Sequence, residues 1–320
     1  MNFIAALAAL VLAAAAAPAA AAFHFVALGD MPYGADAITG PAYRRLIEQI
    51  NAERPPFSIH VGDFKDGVTA CSDELFERQR GYFQLFDSAL VFTPGDNDWS
   101  DCARTGSDPL ERLTALRQRF FGQPASLGQR PIAVERQSDL MPEFERQREN
   151  LRWWHQGVLF ATFHTIGPDN NAAHAMPALR GESTQRDAAN IAWLRAAFTL
   201  AQQRRARALV LATQGDMLRY VDSRLPPGVR PGFHGSITRT LLPLAEASAL
   251  PVLLVHGDSH RYITDQPFLN DRGQPIANLW RLQVFGDPKM HAVKVHVDPD
   301  AAPPFGFTPI WNPLSPDPRR

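Results

Sequence analysis

The sequence is poor in cysteine, in net charge and in internal repetition, and each shortage argues against a class of function. Its only cysteines are Cys71 and Cys102. They form no Cys-x-x-Cys pair, which argues against a zinc ribbon. The net charge is -1, and Lys and Arg are scattered in ones and twos. With no basic block to meet a phosphate backbone, no nucleic-acid partner is indicated. The densest cationic group, Arg204, Arg205 and Arg207, falls at the expected end of a helix, where the dipole favours cations. There is no Gly-x-Ser-x-Gly elbow and no Walker-type phosphate loop, which weakens serine-hydrolase and nucleoside-triphosphatase readings. No repeat and no clear linker divides the 320 residues.

Long apolar runs are also absent, except at the N-terminus. Phe3 to Ala17 is apolar, Pro18 interrupts it, and small residues fill Ala19 to Ala22. This is the pattern of a cleaved export signal over residues 1–22, although no Lys or Arg precedes the run. The alternative is a membrane anchor, but the run before Pro18 falls short of the ~20 residues a span needs. Residues 23–320 then form the mature domain, exported to the periplasm or beyond, with no stable membrane span after cleavage. In an oxidising compartment an even cysteine count suggests one disulfide; the bland alternative is two unpaired thiols.

The remainder has an ordinary composition for a globular core, 45% apolar and 20% charged. Apolar, β-rich runs alternate with amphipathic segments. Strands are expected at Phe23–Leu28, Phe57–Val61, Ala89–Thr93, Val158–Ile166, Ala208–Thr213 and Pro251–His256. Helices are expected at Pro41–Ala52 with Thr39 as a cap, around Leu75 to Phe86, at Leu110–Phe121 and at Gln185–Arg205. Gly122 to Gln156 reads as a loop-and-helix excursion over the site, and Leu279–Phe285 with His291–Val297 as a closing antiparallel pair. The Pro-rich tail after Val297 reads as extended packing or frayed coil. This alternation predicts an α/β protein with helix-covered sheets, whose ligands gather at the carboxyl ends of strands.

Five strand ends carry polar clusters that pair Gly with Asp. They are Gly29-Asp30, Gly62-Asp63, Gly95-Asp96-Asn97-Asp98, Gln214-Gly215-Asp216 and His256-Gly257-Asp258-Ser259-His260. One such pair is ordinary turn chemistry. Five at successive strand ends are not. Gathered at one edge, the carboxylates repel, and divalent cations would neutralise them. Oxygen-rich shells favour Mg²⁺, Mn²⁺ or Ca²⁺, and imidazoles bring in Zn²⁺ or Fe.

The order of these clusters resembles that of the calcineurin-like metallophosphoesterases. Their pattern is Asp-x-His, Gly-Asp, Gly-Asn-His-Asp/Glu, a lone His, then Gly-His-x-His. The resemblance runs from Asp30 to His260. It implies a four-layer αββα sandwich, a site for two metal ions and hydrolysis of small phosphate mono- or diesters. On that pattern Asp30 and Asp63 are metal ligands, with Asp63 bridging. Pro32 stands where a His belongs. Asp96 stands for a ligating Asn, Asn97 for the His that assists the leaving group, and Asp98 for the acid that orients it. Gln214 falls at the lone His, Asp258 at the first His of the last motif, and His260 at the second. The metal set is thus Asp30, Asp63, Asp96, Gln214, Asp258 and His260. If His260 is a ligand, its other ring nitrogen needs an acceptor. The loss of the usual imidazole at Asn97 removes help typically worth ~10²–10⁴ in rate. The same fold serving as a catalytically impaired ligand-binding or envelope-interaction protein is the second reading.

Other residues enter as candidates. By strand alternation His256 shares a face with Asp258, and His60 lies three residues before Asp63; each is a candidate supporting partner or substitute proton donor. The commoner role for each is a satisfied core histidine. Lys65 is a candidate phosphate binder or replacement for a metal's charge, and Arg261 a candidate contact for an anionic substrate. Asn170, Asn171 and His174 could line the cleft, but serve more simply as turn residues. Trp153 and Trp154 suit an aromatic wall or the core, His234 a lid, and Asp287 a turn. Cys71 lies eight residues after Asp63 and Cys102 six after Asp96. Loops leaving one sheet edge would bring them together as a disulfide.

Overall fold

The computed structural model describes residues 22–220 and 227–317. The expected signal peptide, apart from Ala22, lies outside them. In chain order the strands are β1 Phe23–Leu28, β2 Phe57–His60, β3 Ala89–Phe92, β4 Glu135–Arg136, β5 Leu151–His155, β6 Val158–Thr162 and β7 Ala208–Ala212. They continue as β8 Leu218–Arg219, β9 Gly228–Val229, β10 Val252–His256, β11 Ile263–Asp265, β12 Leu279–Gln283, β13 Ala292–Val297 and β14 Phe305–Ile310. The α-helices are α1 Asp36–Glu53, α2 Asp73–Phe83, α3 Pro109–Phe120, α4 Gln137–Leu140, α5 Pro177–Gln203 and α6 Leu242–Ser248, the last continuing a π-helix over His234–Leu241. No helix among the described residues is long and apolar enough to cross a membrane.

Two large sheets result, in the orders β14-β13-β1-β2-β3 and β11-β12-β10-β7-β6-β5-β4. Strands β1, β2 and β3 are parallel, as are β6, β7, β10 and β12. Their carboxyl ends therefore share an edge within each sheet. The sheets meet through aromatic side chains. Phe25 and Phe57 of the first lie 5.5 and 4.9 Å, centroid to centroid, from Phe160 of the second. Trp153 stacks on Phe160 at 5.2 Å. Each fully buried Phe contributes roughly 1.5–3 kcal/mol, so this seam fixes how the two edges align. Helices α1 and α2 add Tyr43, Leu46, Ile47, Phe76 and Phe83 to the same core, while α5 and α6 cover the second sheet with Trp193, Leu194, Phe198 and Ala245. This is the helix-flanked β-sandwich that the sequence suggests.

Several local expectations are corrected. Helix α1 begins at Asp36, so Thr39 is inside it and returns its hydroxyl to Ala35 O at 3.3 Å instead of capping. Helix α5 begins at Pro177, a residue favoured in the first helical turn because its missing N–H is unpaired there anyway. The expected β12–β13 pair does not form. Strand β12 runs parallel to β10 in the second sheet, and β13 pairs antiparallel with β1 in the first. Their alternation reports two half-covered strands but not their partners. The tail is ordered as β14, with Pro309 opposite Val293 on an edge strand that tolerates the lost donor. Residues 122–156 supply β4, β5 and short helices and line a groove of about 770 Å³ with α3 and α5. None of the strand-end aspartates lines that groove.

Cys71 and Cys102 form a disulfide between the loop after β2 and the 3-10 turn after β3. Closing a loop of 31 residues of separation restricts the unfolded chain by about 3–4 kcal/mol. A Cys71→Ser/Cys102→Ser variant should lose about that much in urea unfolding, and a loss under 1 kcal/mol would remove the bond from the account of stability.

Candidate functional site

The carboxyl ends of β1, β2, β3, β7 and β10 meet at the junction of the two sheets. Hydrogen bonds crossing between sheets prove the meeting: Gln214 Nε2 donates to Asp63 Oδ2 at 2.8 Å and to Asp96 Oδ1 at 3.1 Å. Likewise Asp258 N donates to both oxygens of Asp30 at 3.0 Å. The backbone bends sharply to do this. Asp30, Asp63, Asp258 and His260 have φ of 54°, 56°, 78° and 57°. Such left-handed residues cost about 1–2 kcal/mol each, least for types like Asp. Three glycines are required by proximity instead. A Cβ on Gly95 would lie 2.0 Å from Asp63 Oδ1, on Gly167 2.2 Å from Asp258 Oδ1, and on Gly257 2.3 Å from Asp30 Oδ2.

Asp30, Asp63, Asp98 and Gln214 are buried, while Tyr33, Asn97, Asp258 and His260 are half-buried and open toward solvent. Asp98 accepts from three backbone groups: Asp63 N at 2.9 Å, Phe64 N at 2.9 Å and Gly95 N at 2.8 Å. It thereby ties the turn after β2 to the turn after β3. Asp63 Oδ1 accepts Asn97 N at 2.9 Å, and its Oδ2 accepts Asn97 Nδ2 at 3.2 Å and the Tyr33 hydroxyl at 3.4 Å. Asp258 Oδ2 accepts Asp216 N at 2.9 Å.

Burial raises the pKa of Asp30, Asp63, Asp96, Asp98 and Asp258. Asp30 is held well above the usual range by burial and then by the charge of Asp258. Asp63 is raised by burial and then by Asp96. Asp96 is raised by burial in spite of its hydrogen bonds. Burial pushes Asp98 up to about 7 against its three N–H donors, and burial with the Asp96 charge takes Asp258 to about 7. Lys65 is buried too, with Nζ on Asp66 O at 2.7 Å, and burial lowers its pKa against the pull of Asp98 and Asp63.

The donors and acceptors divide the cluster in two. His260 donates Nδ1–H to Asp287 O at 2.7 Å, which supplies the acceptor a ligand His needs. Its Nε2 faces inward, 4.0 Å from Asp30 Oδ1 and 3.3 Å from Tyr33 Oη, whose single proton serves either Nε2 or Asp63 Oδ2 but not both. The Asp30 carboxylate and this imidazole, with Asp258 bonded to Asp30 through its N–H, supply donor types found in divalent-cation shells. On the other side Gln214 and Asn97 present N–H groups, which a cation cannot use. As the side chains stand, no three His, Cys, Asp or Glu among the described residues converge on one ion. Oxygen and imidazole donors are the residue types a divalent cation takes.

His60 is a core histidine, donating Nε2–H to Met31 O at 3.2 Å and accepting Gly62 N at 3.2 Å, with burial lowering its pKa to about 3. His256 is buried with a pKa lowered to about 4, Nδ1 bonded to Gly257 O at 3.0 Å and Nε2 without a partner. Arg261 is exposed over the Tyr220 ring at 5.8 Å. Trp153 belongs to the core, and Trp154 carries Arg204 over its ring at 5.8 Å. Asn170 and Asn171 are left-handed turn residues, Asn171 pairing with Ser100. His174 Nδ1 accepts Met176 N at 3.1 Å, and His234 Nε2 bonds Val229 O at 3.0 Å. Sequence reasoning missed Tyr33, three residues after Asp30, whose hydroxyl touches Asp63, Asn97 and His260. It also gave no role to Asp216, whose carboxylate takes Ser259 Oγ and whose N–H holds Asp258.

Asp98 is a positioning residue, and its test is mechanical. Asp98→Asn sets an amide N–H against backbone donors and should cost about 2–4 kcal/mol in urea unfolding. A loss below 0.5 kcal/mol would show that the two turns do not depend on it.

No family model matches the sequence, and no curated relative was found. Solved structures do match. PhoD is 12% identical with a TM-score of 0.55, the alignment covering 88% of this chain and 65% of that one. The structure described as GAP50, the anchor in the inner membrane complex of Plasmodium, is 11% identical with a TM-score of 0.50, covering 90% and 88%. At such identities the likeness is one of fold. Two helix-flanked sheets with a polar cluster at their joined carboxyl edges give this chain the metallophosphoesterase fold.

Proposed function

We propose that the chain is an exported metal-dependent phosphoesterase acting at the Asp30–Asp63–Asp96–Asp258–His260 cluster on a small phosphate mono- or diester. One observation carries this: strand ends of two sheets bring buried acids together at left-handed φ, a costly arrangement that packing alone does not call for. The reaction class rests on the order of the strand-end motifs, and the fold shared with PhoD is in keeping with it. Export rests on the leader-like residues 1–22 and on a disulfide suited to an oxidising compartment.

Asp30, Asp258 and His260 would hold a divalent cation, Mn²⁺, Mg²⁺ or Ca²⁺ by oxygen content, with Zn²⁺ or Fe admitted by the imidazole. When bound there it supplies positive charge to a phosphoryl group gaining negative charge. The protein's own groups do the rest. Asp98 fixes both turns, Asp287 O fixes the His260 ring, and Tyr33 and Asn97, bonded to each other, line the half-buried side. Lys65 contributes charge from beneath Asp63, and Arg261 lies outside as a contact for an anionic group. Against His256 as the proton donor stands its buried ring, with Nδ1–H spent on Gly257 O and Nε2 without a partner. A second reading, a binding or envelope-interaction protein, is favoured by the amides at Asn97 and Gln214 and by the likeness to a structure described as an anchor.

Metal analysis of the purified mature protein, with turnover of an aryl phosphate and a bis-aryl phosphate, separates the two. The enzyme reading expects bound metal, Mn²⁺-stimulated hydrolysis, and about a 10²-fold or greater loss in Asp63→Asn and His260→Ala. Metal without turnover selects the binding protein. Turnover untouched by Asp63→Asn places the chemistry elsewhere.

Stability should report the same site. The ordinary value for these acids is 3.8, and Asp98 and Asp258 are pushed up to about 7. Between those limits the folded chain keeps protons that the unfolded chain has lost. The cluster's contribution is therefore full below about 4 and declines as pH rises toward 7. A cation replaces those protons, so its stabilising effect should grow over the same window. The rise in unfolding midpoint on adding Mn²⁺ to chelated protein is expected to be larger at pH 7 than at pH 5. An equal rise at both would place the ion away from these acids.

A further inference from the structure

We infer that the second of the two cation positions implied by this fold is closed in this chain, and that the Gln214 amide stands there in place of an ion. The inference rests on the proposed cation at the His260 side and concerns how many ions the cluster takes.

Asp63 is the carboxylate that would bridge two ions, and most of its acceptor sites are already used. Asn97 N occupies Oδ1, while Gln214 Nε2 and Asn97 Nδ2 occupy the two lone pairs of Oδ2. A carboxylate has about four lone-pair sites, so little is left for an ion. Gln214 spends both amide hydrogens across the gap between Asp63 and Asp96, joining two carboxylates as a cation would. Its own oxygen accepts Gly167 N at 2.9 Å. That bond decides which way the amide points. Turned over, the NH₂ would face the Gly167 N–H and the oxygen would face two carboxylates, repelling both. The seat is also tight: Gln214 is fully buried, and even a Cβ on Gly95 would come within 2.7 Å of its Cγ. An ion entering here would meet N–H groups and would have to break the bridge. At the other position it meets the Nε2 lone pair of His260.

Gln214→Glu keeps the shape and exchanges the N–H donors for an acceptor. Wild-type mature protein, chelated and then titrated with Mn²⁺, should bind one equivalent by calorimetry and by equilibrium dialysis, and its paramagnetic resonance spectrum should show an isolated ion. Gln214→Glu should bind a second equivalent, give the spectrum of a coupled pair, and melt below wild type in chelator but not in Mn²⁺. Gln214→His, which restores an imidazole acceptor, should also take a second equivalent. Two equivalents in wild type overturn the inference while leaving the proposed site intact. One equivalent in both folded variants overturns the role of Gln214. No ion in wild type overturns the proposed site and the inference together.

Discussion

Confinement of like charge is the constraint on which this structure depends. Two unit charges 4 Å apart at a protein-like dielectric of about 20 interact by about 4 kcal/mol, and five aspartates here share one buried junction. The fold survives this only because each acid is answered by specific donors. Three backbone N–H groups point at Asp98, two amides and a phenol at Asp63, and the Asp258 N–H at both oxygens of Asp30. Glycine appears where a carboxylate presses against backbone, at Gly95, Gly167 and Gly257, and substitution there would meet an oxygen before it met a torsional limit.

Those donors can answer the charge only if the loops that carry them are immobile. The Asp96–Trp99 turn is held from three directions. Asp98 binds it to the β2 turn, and the Cys71–Cys102 bond closes the far end. Trp99 Nε1 donates to His164 Nε2 at 3.2 Å, His164 Nδ1–H donates to Glu149 at 2.8 Å, and Glu149 pairs with Arg117 of α3. The acceptor role of His164 Nε2 keeps that ring neutral, in line with a pKa lowered by burial. This chain links the site to the groove lined by residues 136–148, so the excursion supports the site from behind.

Which parts were legible in the sequence follows from how far each signal reaches. Strand position was legible because apolar runs and Gly-Asp ends are local, and the five ends do meet. Partner choice was not, since β12 and β13 have the same alternation whether they pair together or lie in different sheets. Tyr33 was hidden because Met31-Pro32-Tyr33 reads as a turn, and only the closing of the second sheet brings His260 to its hydroxyl. The acceptor for His260 was invisible in principle, being the main-chain carbonyl of Asp287. Any residue at position 287 other than one that moved the backbone would supply it.

The least legible property of the site is its polarity. Replacing a ligand His by Gln or Asn looks conservative by size and by hydrogen-bonding capacity, since each side chain has both a donor and an acceptor. Position within the fold decides which end faces inward. At Gln214 one backbone N–H, from Gly167, captures the oxygen and so commits two hydrogens to the carboxylates. At His260 one backbone carbonyl, from Asp287, captures the N–H and so commits a lone pair to them. The same cluster therefore carries a donor wall and an acceptor wall, set by two main-chain groups far from each other in sequence. A ligand count made from side-chain types cannot see this difference, because Gln and His enter it as equivalent neutral ligands. On the proposed reading, the direction of the neighbouring peptide separates a position open to a cation from one whose N–H groups stand in its place.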